Sequence, residues 1–228
     1  MKRLAPYALL FTLIFLLAFQ NRSPDPAAEA ITVPAKHPAF VMIDPGHGGY
    51  DPGVRSADLK EADLTLAIGK ELKTALAELQ IAAVMTRETD TDYATRGSSG
   101  KTAKRSDLNR RMDLAFEQGA TMFLSLHVNA SSQATRGGAE VFYSEQLPEA
   151  KLLAESVQSK LHQLPEMSRR DAKPASYYLL ENLPIPSLII ECGYLNITGD
   201  RAHLTSPLYQ KKLAQAIALG VEEYLKSR

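Results

Sequence analysis

The apolar run Val41-Met-Ile43 stops at the Pro/Gly-rich turn Asp44-Pro-Gly-His-Gly-Gly49, and a single histidine, His47, sits in that turn. Such a segment predicts a buried strand that delivers an imidazole to the open end of a sheet. Glycines on both sides let backbone and ligand approach closely, because they lack a Cβ. Three more polar residues fall at comparable places. Glu61 opens the first long helical pattern, His127 ends the run Met122-Phe-Leu-Ser-Leu126, and Glu191 ends Leu188-Ile-Ile190. In an open α/β sheet, ligands bind beyond the carboxyl ends of the strands, so all four side chains are expected in one crevice.

Two imidazoles and a carboxylate make a His2Glu set, which suits one catalytic zinc ion with a coordination position left open for water. Zinc acidifies that water and polarises a neighbouring carbonyl. Glu191 would then accept the water proton and return it to a leaving nitrogen. The chemistry implied is metal-assisted hydrolysis of an amide. Plainer roles stand beside it. Histidines in turns commonly face solvent or backbone, Glu61 could favour a helix start through the dipole, and Glu191 could pair with Arg87 or Arg170.

The elements that must position these residues alternate from Ala39 onward, which predicts a single α/β domain. Its sheet would be mixed, mostly parallel and six-stranded, flanked by helices, with the zinc at the carboxyl ends of strands. The strands are expected at Phe40–Ile43, Ile81–Thr86, Thr121–Leu126, Ala139–Tyr143, Ser176–Leu180 and Ser187–Glu191. Helical patterns cover Ala62–Leu79, Arg105–Gln118, Pro148–Leu164 and Pro207–Leu225; Leu64, Ile68, Leu72, Leu76 and Leu79 mark the apolar stripe of the first. The polar stretch Thr89–Lys104, with Gly97-Ser-Ser-Gly100 inside it, is expected to be a long loop.

The 228 residues hold 26 basic and 26 acidic side chains, so no basic excess points to nucleic acid. Cys192 is the only cysteine, which excludes an intrachain disulfide. Strand alternation turns it away from the face of Glu191 and predicts a buried, inert thiol. Lys2 and Arg3 precede an apolar run from Leu4 to Phe19, the pattern of an export segment. At about 1.5 Å per residue it reaches roughly 24 Å as a helix, short of a comfortable bilayer span. Residues 1–20 are therefore expected to be a signal sequence or membrane anchor, 21–38 a linker, and 39–228 an extracytoplasmic catalytic domain.

Taken together, Asp44-Pro-Gly-His-Gly-Gly49 with Asp51-Pro-Gly53, Glu61 fourteen positions after His47, Met85-Thr-Arg87, Ser125-Leu-His-Val-Asn-Ala130 and Ile190-Glu191-Cys-Gly-Tyr194 resemble the zinc-dependent N-acetylmuramoyl-L-alanine amidases, the amidase-3 family. The likeness runs from about Phe40 to the C-terminus and, within the family, is greatest to the germination-specific spore-cortex subgroup. It implies zinc ligands at His47, Glu61 and His127, a catalytic glutamate at Glu191, and peptidoglycan as substrate. The bond attacked would join the muramic acid lactyl group to L-alanine, and stem-peptide removal would precede conversion to muramic-δ-lactam by a separate deacetylase. Lys60-Glu-Ala-Asp63 departs from the family's usual Glu-Lys-Asp but keeps the ligand.

Asn129 could hydrogen-bond substrate amides or stabilise its turn. Arg87 and Arg170 could hold a stem-peptide carboxylate, or pair within the fold. An activating partner protein that orders the cleft is a further expectation, from the length and glycines of Thr89–Lys104. The competing functions are a vegetative cell-wall amidase, a zinc exopeptidase and a metal-free peptidoglycan-binding module. Exopeptidases of this kind commonly use two metals, and the sequence supplies one ligand set.

Overall fold

Val41 and Ile43 project to one side of their strand and Met42 and Asp44 to the other, and each side meets a different layer of helices. The computed structural model describes residues 38–56, 58–131, 133–165 and 168–228. There the first apolar run forms β1 (Phe40–Pro45). The other sheet strands are β4 (Ala82–Met85), β5 (Met122–Asn129), β6 (Glu140–Tyr143), β7 (Lys173–Pro174) and β8 (Ser187–Tyr194). Their order is β4-β1-β5-β8-β6-β7. The first four run parallel, and β6 with β7 runs against them. A separate two-stranded ribbon, β2 (Arg55–Ser56) with β3 (Leu59–Lys60), lies between β1 and the first helix.

The six helices among the described residues are α1 (Glu61–Glu78), α2 (Gly100–Glu117), α3 (Pro148–Leu161), α4 (Tyr178–Asn182), α5 (Thr198–Leu204) and α6 (Pro207–Lys226). Proline in the first turn starts both α3 and α6, where its missing N–H is no loss. Ile68 and Leu72 of α1, Leu153 and Val157 of α3, and Leu213 and Ile217 of α6 pack on Ile43, Leu124, Leu126 and Ile190 of the sheet. The opposite side has a smaller apolar cluster, in which Met112 of α2 and Leu179 and Leu180 of α4 cover Met42, Phe123 and Ile189.

The mixed, six-stranded α/β architecture is the expected one, with local corrections. Ser176–Leu180, expected as a strand, is not one: Tyr178–Leu180 open the short helix α4. Leu179, Leu180 and Leu183 are all buried, and a single helical turn is what brings residues so spaced to one side. The sixth strand is instead Lys173–Pro174, an exposed edge, where a proline costs the sheet no hydrogen bond. The polar loop after β4 is shorter than expected, because α2 begins at Gly100 rather than Arg105. The expected anchor over 1–20 and linker over 21–38 lie outside the described residues, which begin at Pro38. No helix among the described residues is long and apolar enough to cross a membrane.

Candidate active site

His47 follows β1 with φ +62, a conformation that non-glycine residues rarely adopt and that persists only where the surroundings enforce it. Two buried guanidinium groups do so from beneath. Arg87 donates to the carbonyls of Pro45 (2.9 Å), Gly46 (3.0 Å) and Ala62 (2.8 Å). Arg111 donates to the carbonyls of Pro45 (3.0 Å) and His47 (2.7 Å), and its other donors reach Asp44 and Asp107, each at 2.8 Å. From above, Asp90 accepts the Gly49 N–H at 2.7 Å and Asp92 that of Tyr50 at 3.0 Å. Arg87 is thus committed to the turn, 2% exposed, and is not free to hold a substrate carboxylate.

The Asp44 carboxyl is fully buried within this support. Burial alone would raise its pKa, but Arg111 and the hydroxyls of Ser125 and Thr86 outweigh it and hold the group below the usual carboxylate range. Glu61 is the first residue of α1, and the short ribbon carries the chain from His47 back to it. One of its oxygens accepts the Val54 N–H at 2.8 Å, the other the Val128 N–H at 2.9 Å. Both carboxylate oxygens are therefore fixed in direction, which a role limited to the helix dipole would not require.

Glu61 Oε1 lies 3.2 Å from His47 Nε2 and 3.0 Å from His127 Nδ1. Ligand atoms about 2.0–2.1 Å from a tetrahedral zinc stand about 3.3 Å apart along the tetrahedron's edges. The three ligand atoms all lie within 4.8 Å of one another, and the two imidazoles meet edge to face at 4.9 Å. This donor set fits a zinc ion, and its second layer has the form metal sites use. His47 Nδ1 is engaged by Asp51 Oδ2 at 2.8 Å, which leaves Nε2 for the cluster. Asp51 also accepts the Gly53 N–H at 3.0 Å.

Space for the cluster depends on two glycines. A Cβ on Gly46 would stand 2.4 Å from His127 Cε1, and one on Gly53 2.5 Å from Glu61 Oε2. Charge is shared strongly here. Burial lowers the proton affinity of His47, but the carboxylates of Asp51 and Glu61 outweigh it and raise the imidazole pKa to about 9. Hydrogen bonding to His47 in turn brings Asp51 down to about 2.

Glu191 stands on β8 directly beside His127 of β5 and Glu140 of β6, so one rung of the sheet carries all three. It is 9% exposed. Its Oε2 is buried without a hydrogen-bond partner, an orphaned acceptor among the described residues. Burial is the main reason its pKa is pushed up to about 7; Glu61 and Glu140 add to the effect while His127 and His47 oppose it. The alternative role for Glu191, an ion pair with Arg87 or Arg170, is not taken up. Arg170 approaches Glu140 at 3.4 Å and donates to the Arg136 carbonyl at 2.7 Å. Asn129 is half-buried at the end of β5, two residues beyond His127. A cavity of about 50 Å³ opens between His47, His127 and the α2 residues Lys104 and Leu108.

Four supporting residues, Asp44, Arg111, Glu140 and Asp51, are given no role by the sequence alone. Asp44 and Arg111 meet across 67 positions. Glu140 reaches the site only because β6 runs antiparallel, in a register that no local pattern encodes. Asp51 stood in the quoted motif without a role. Its spacing of four from His47 was the available clue.

The family model described as N-acetylmuramoyl-L-alanine amidase matches residues 41–223, the whole span that builds this site. The chain belongs to the N-acetylmuramoyl-L-alanine amidases. The germination-specific amidase of Bacillus subtilis (strain 168) is 33% identical over 218 residues, covering 95% of this chain and 91% of that protein. The sporulation-specific amidase of the same organism is 31% identical over 188 residues, covering 80% and 67%. Among solved structures, the CwlD amidase of Clostridioides difficile in complex with the GerS lipoprotein superimposes with a TM-score of 0.79 at 31% identity. It covers 83% of this chain and 100% of that one. The amidase fold and the expected family are thus both in hand, and the cell-wall substrate of the family implies action outside the cytoplasm.

Proposed function

We propose that this amidase is zinc-dependent, with His47 Nε2, Glu61 Oε1 and His127 Nδ1 as the ligands of one ion and Glu191 as the catalytic base. The convergence of those three atoms, with an unpartnered Glu191 oxygen one strand away, is the observation that carries the assignment. Held by these three residues, a zinc ion would supply Lewis acidity towards the scissile carbonyl and a water. Glu191 takes the proton from the attacking water and passes it to the leaving amine of L-alanine, a task for a group whose pKa lies near the working pH. Glu61, held by two backbone amides, keeps its direction throughout. Asp51 keeps the His47 ring oriented by accepting from Nδ1.

The biological substrate we infer is spore cortex, where removal of stem peptides prepares muramic acid for lactam formation by a separate deacetylase. The nearly end-to-end likeness to a germination-specific amidase supports it, as does the sporulation-specific relative. Residues 1–20 act as an export signal or anchor, 21–38 as a linker and 39–228 as the catalytic domain facing the cortex. A lipoprotein partner like the one bound to the Clostridioides difficile enzyme is the natural candidate for an activator. A zinc exopeptidase is disfavoured because the described residues hold one ligand cluster and not two.

The test is mass spectrometry of purified cortex and of vegetative peptidoglycan after treatment with the zinc-loaded protein. Free stem peptides from cortex, with sugars intact, are expected. Single amino acids clipped from peptides would overturn the amidase assignment. Cleavage of vegetative wall alone would overturn the cortex role.

A further inference from the structure

The rung of Glu140, Glu191 and His127 is flanked on the β6 side by an aromatic pair that the hydrolytic chemistry does not use. Phe142 lies two residues beyond Glu140, on the same face of the sheet, opposite Ile189. The ring of Tyr177 meets it edge to face, with centroids 5.6 Å apart and planes at 71°. Tyr177 nevertheless remains 40% exposed, and no hydrogen bond engages its phenol among the described residues. Both Glu191 and Glu140 are near enough to raise that phenol's pKa, although burial is the larger cause.

This ring is held still. Tyr177 immediately precedes α4, its carbonyl accepts the Glu181 N–H at 3.0 Å, and Leu179, Leu180 and Leu183 bury the helix in the smaller core. Tyr178 ties the same segment to α2, donating to Asn109 at 2.7 Å with the Arg105 guanidinium 3.6 Å above its ring. A half-exposed aromatic that loses no further freedom on binding is an economical contact surface.

We propose that Tyr177, braced by Phe142, is a sugar-binding residue that packs against the apolar face of the muramic acid pyranose. The inference rests on the amidase assignment and names the part of the substrate that lies on this side of Glu191. Two features of the ring's surroundings select the sugar over the peptide. Glu140 is paired with Arg170 and Lys173, but Glu191 has no paired cation among the described residues and disfavours the acidic groups of a stem peptide on this side, whereas an N-acetylated sugar whose lactyl group is amidated is neutral. The first peptide residue, L-alanine, offers only a methyl group, too little surface for a whole ring.

The experiment compares two substrates on the zinc-loaded full chain: a disaccharide-peptide, and the same peptide carrying only a D-lactyl group. Tyr177→Ala is expected to raise KM for the disaccharide-peptide about three- to ten-fold, the worth of one well-oriented ring contact, with kcat within two-fold. KM for the lactyl-peptide should not move, and Tyr177→Trp should restore the wild-type KM. An unchanged KM for the disaccharide-peptide, or an equal rise for both substrates, overturns the sugar contact. A wild-type chain that cleaves peptide bonds within the stem of both substrates but leaves the lactyl amide intact overturns the amidase assignment itself, and the sugar contact with it.

Discussion

The two faces of the central sheet are built from the same strands and do opposite things. On β5, Met122, Leu124, Leu126 and Val128 point into the larger core beneath α1, α3 and α6, all of them 1% exposed or less. Their alternate neighbours Phe123, Ser125 and His127 point the other way, passing in three steps from apolar packing to a polar network to the proposed metal site. β8 repeats the scheme, with Ile190 and Cys192 on the packed face and Ile189 and Glu191 on the other. One face is built almost wholly from apolar side chains. The other holds a buried arginine, an orphaned carboxylate oxygen and a histidine at positive φ. Apolar packing on the first face offsets the strained polar groups that chemistry requires on the second.

The largest separation between the faces is expected at Glu191. Glu191→Gln should lower kcat about 1000-fold, within the usual worth of a general base, and leave the fold and zinc content intact. An active, fully folded variant would remove the base assignment. Stability should respond to pH in a defined direction. A carboxyl whose pKa is raised in the folded state, here from 4.5 to about 7, binds its proton more tightly there than in the unfolded chain. Its contribution is full below pH 4.5 and lost as the pH rises through 7. Metal-free wild type should therefore lose roughly 3 kcal/mol across that window relative to Glu191→Gln. Parallel urea-denaturation profiles for the two proteins would show that the carboxyl is not desolvated.

Next in size is Arg111, the polar face's counterpart to a core leucine. Its removal in Arg111→Met strands Asp44 and Asp107 without their cation and strips donors from the Pro45 and His47 carbonyls. A loss of about 3–5 kcal/mol is expected for breaking a buried pair, together with weaker zinc binding. Leu124→Ala, on the packed face, should cost a similar 2–5 kcal/mol yet leave zinc affinity unchanged. Denaturation midpoints measured beside zinc titrations separate the two. Equal zinc affinities would mean that Arg111 serves packing alone.

What could be read from the sequence follows the same division. The packed face announces itself: apolar residues at spacings of two on β1, β5 and β8, and of three and four on α1 and α6, are local patterns. The residues proposed for the metal site were legible because each stands at the end of such a pattern. Their supporting network was not. For Arg87 the sequence leaves a substrate carboxylate and pairing within the fold both open, and only the turn of residues 45–47, folded over it, decides for the second. Glu140 needed a strand reversal to reach Glu191, and Lys173–Pro174 has no apolar alternation by which a strand could be recognised. Ser176–Leu180 misleads in the other direction, since a short apolar run fits a strand and a helical turn equally well.

A smaller effect is expected at Asp51, which stands behind the His47 ring and is not among the proposed ligands. Asp51→Ala should weaken zinc affinity about 10–100-fold, the usual cost of losing a carboxylate behind a ligating histidine. The variant's kcat at saturating zinc should recover most of the wild-type value, because Glu191 is untouched. Competition with a chromogenic chelator reads the affinity. A variant that binds zinc as tightly as wild type would show the His47 ring to be fixed by the turn's backbone alone.

The smallest expected effect tests the division most sharply, because Cys192 is adjacent to Glu191 in sequence and on the opposite face in space. Its thiol is 2% exposed and donates weakly to the Ile190 carbonyl at 3.7 Å. Burial, with the nearby charges of Glu191 and Glu61 adding to it, pushes its pKa well up, so it carries little thiolate. Cys192→Ala should cost about 1 kcal/mol of packing, leave kcat and zinc content unchanged, and native protein should resist alkylation by iodoacetamide. Loss of zinc in this variant, or inactivation of native enzyme by the reagent, would place the sulfur within reach of the site. A one-residue step along β8 would then no longer separate the face that stabilises from the face that reacts.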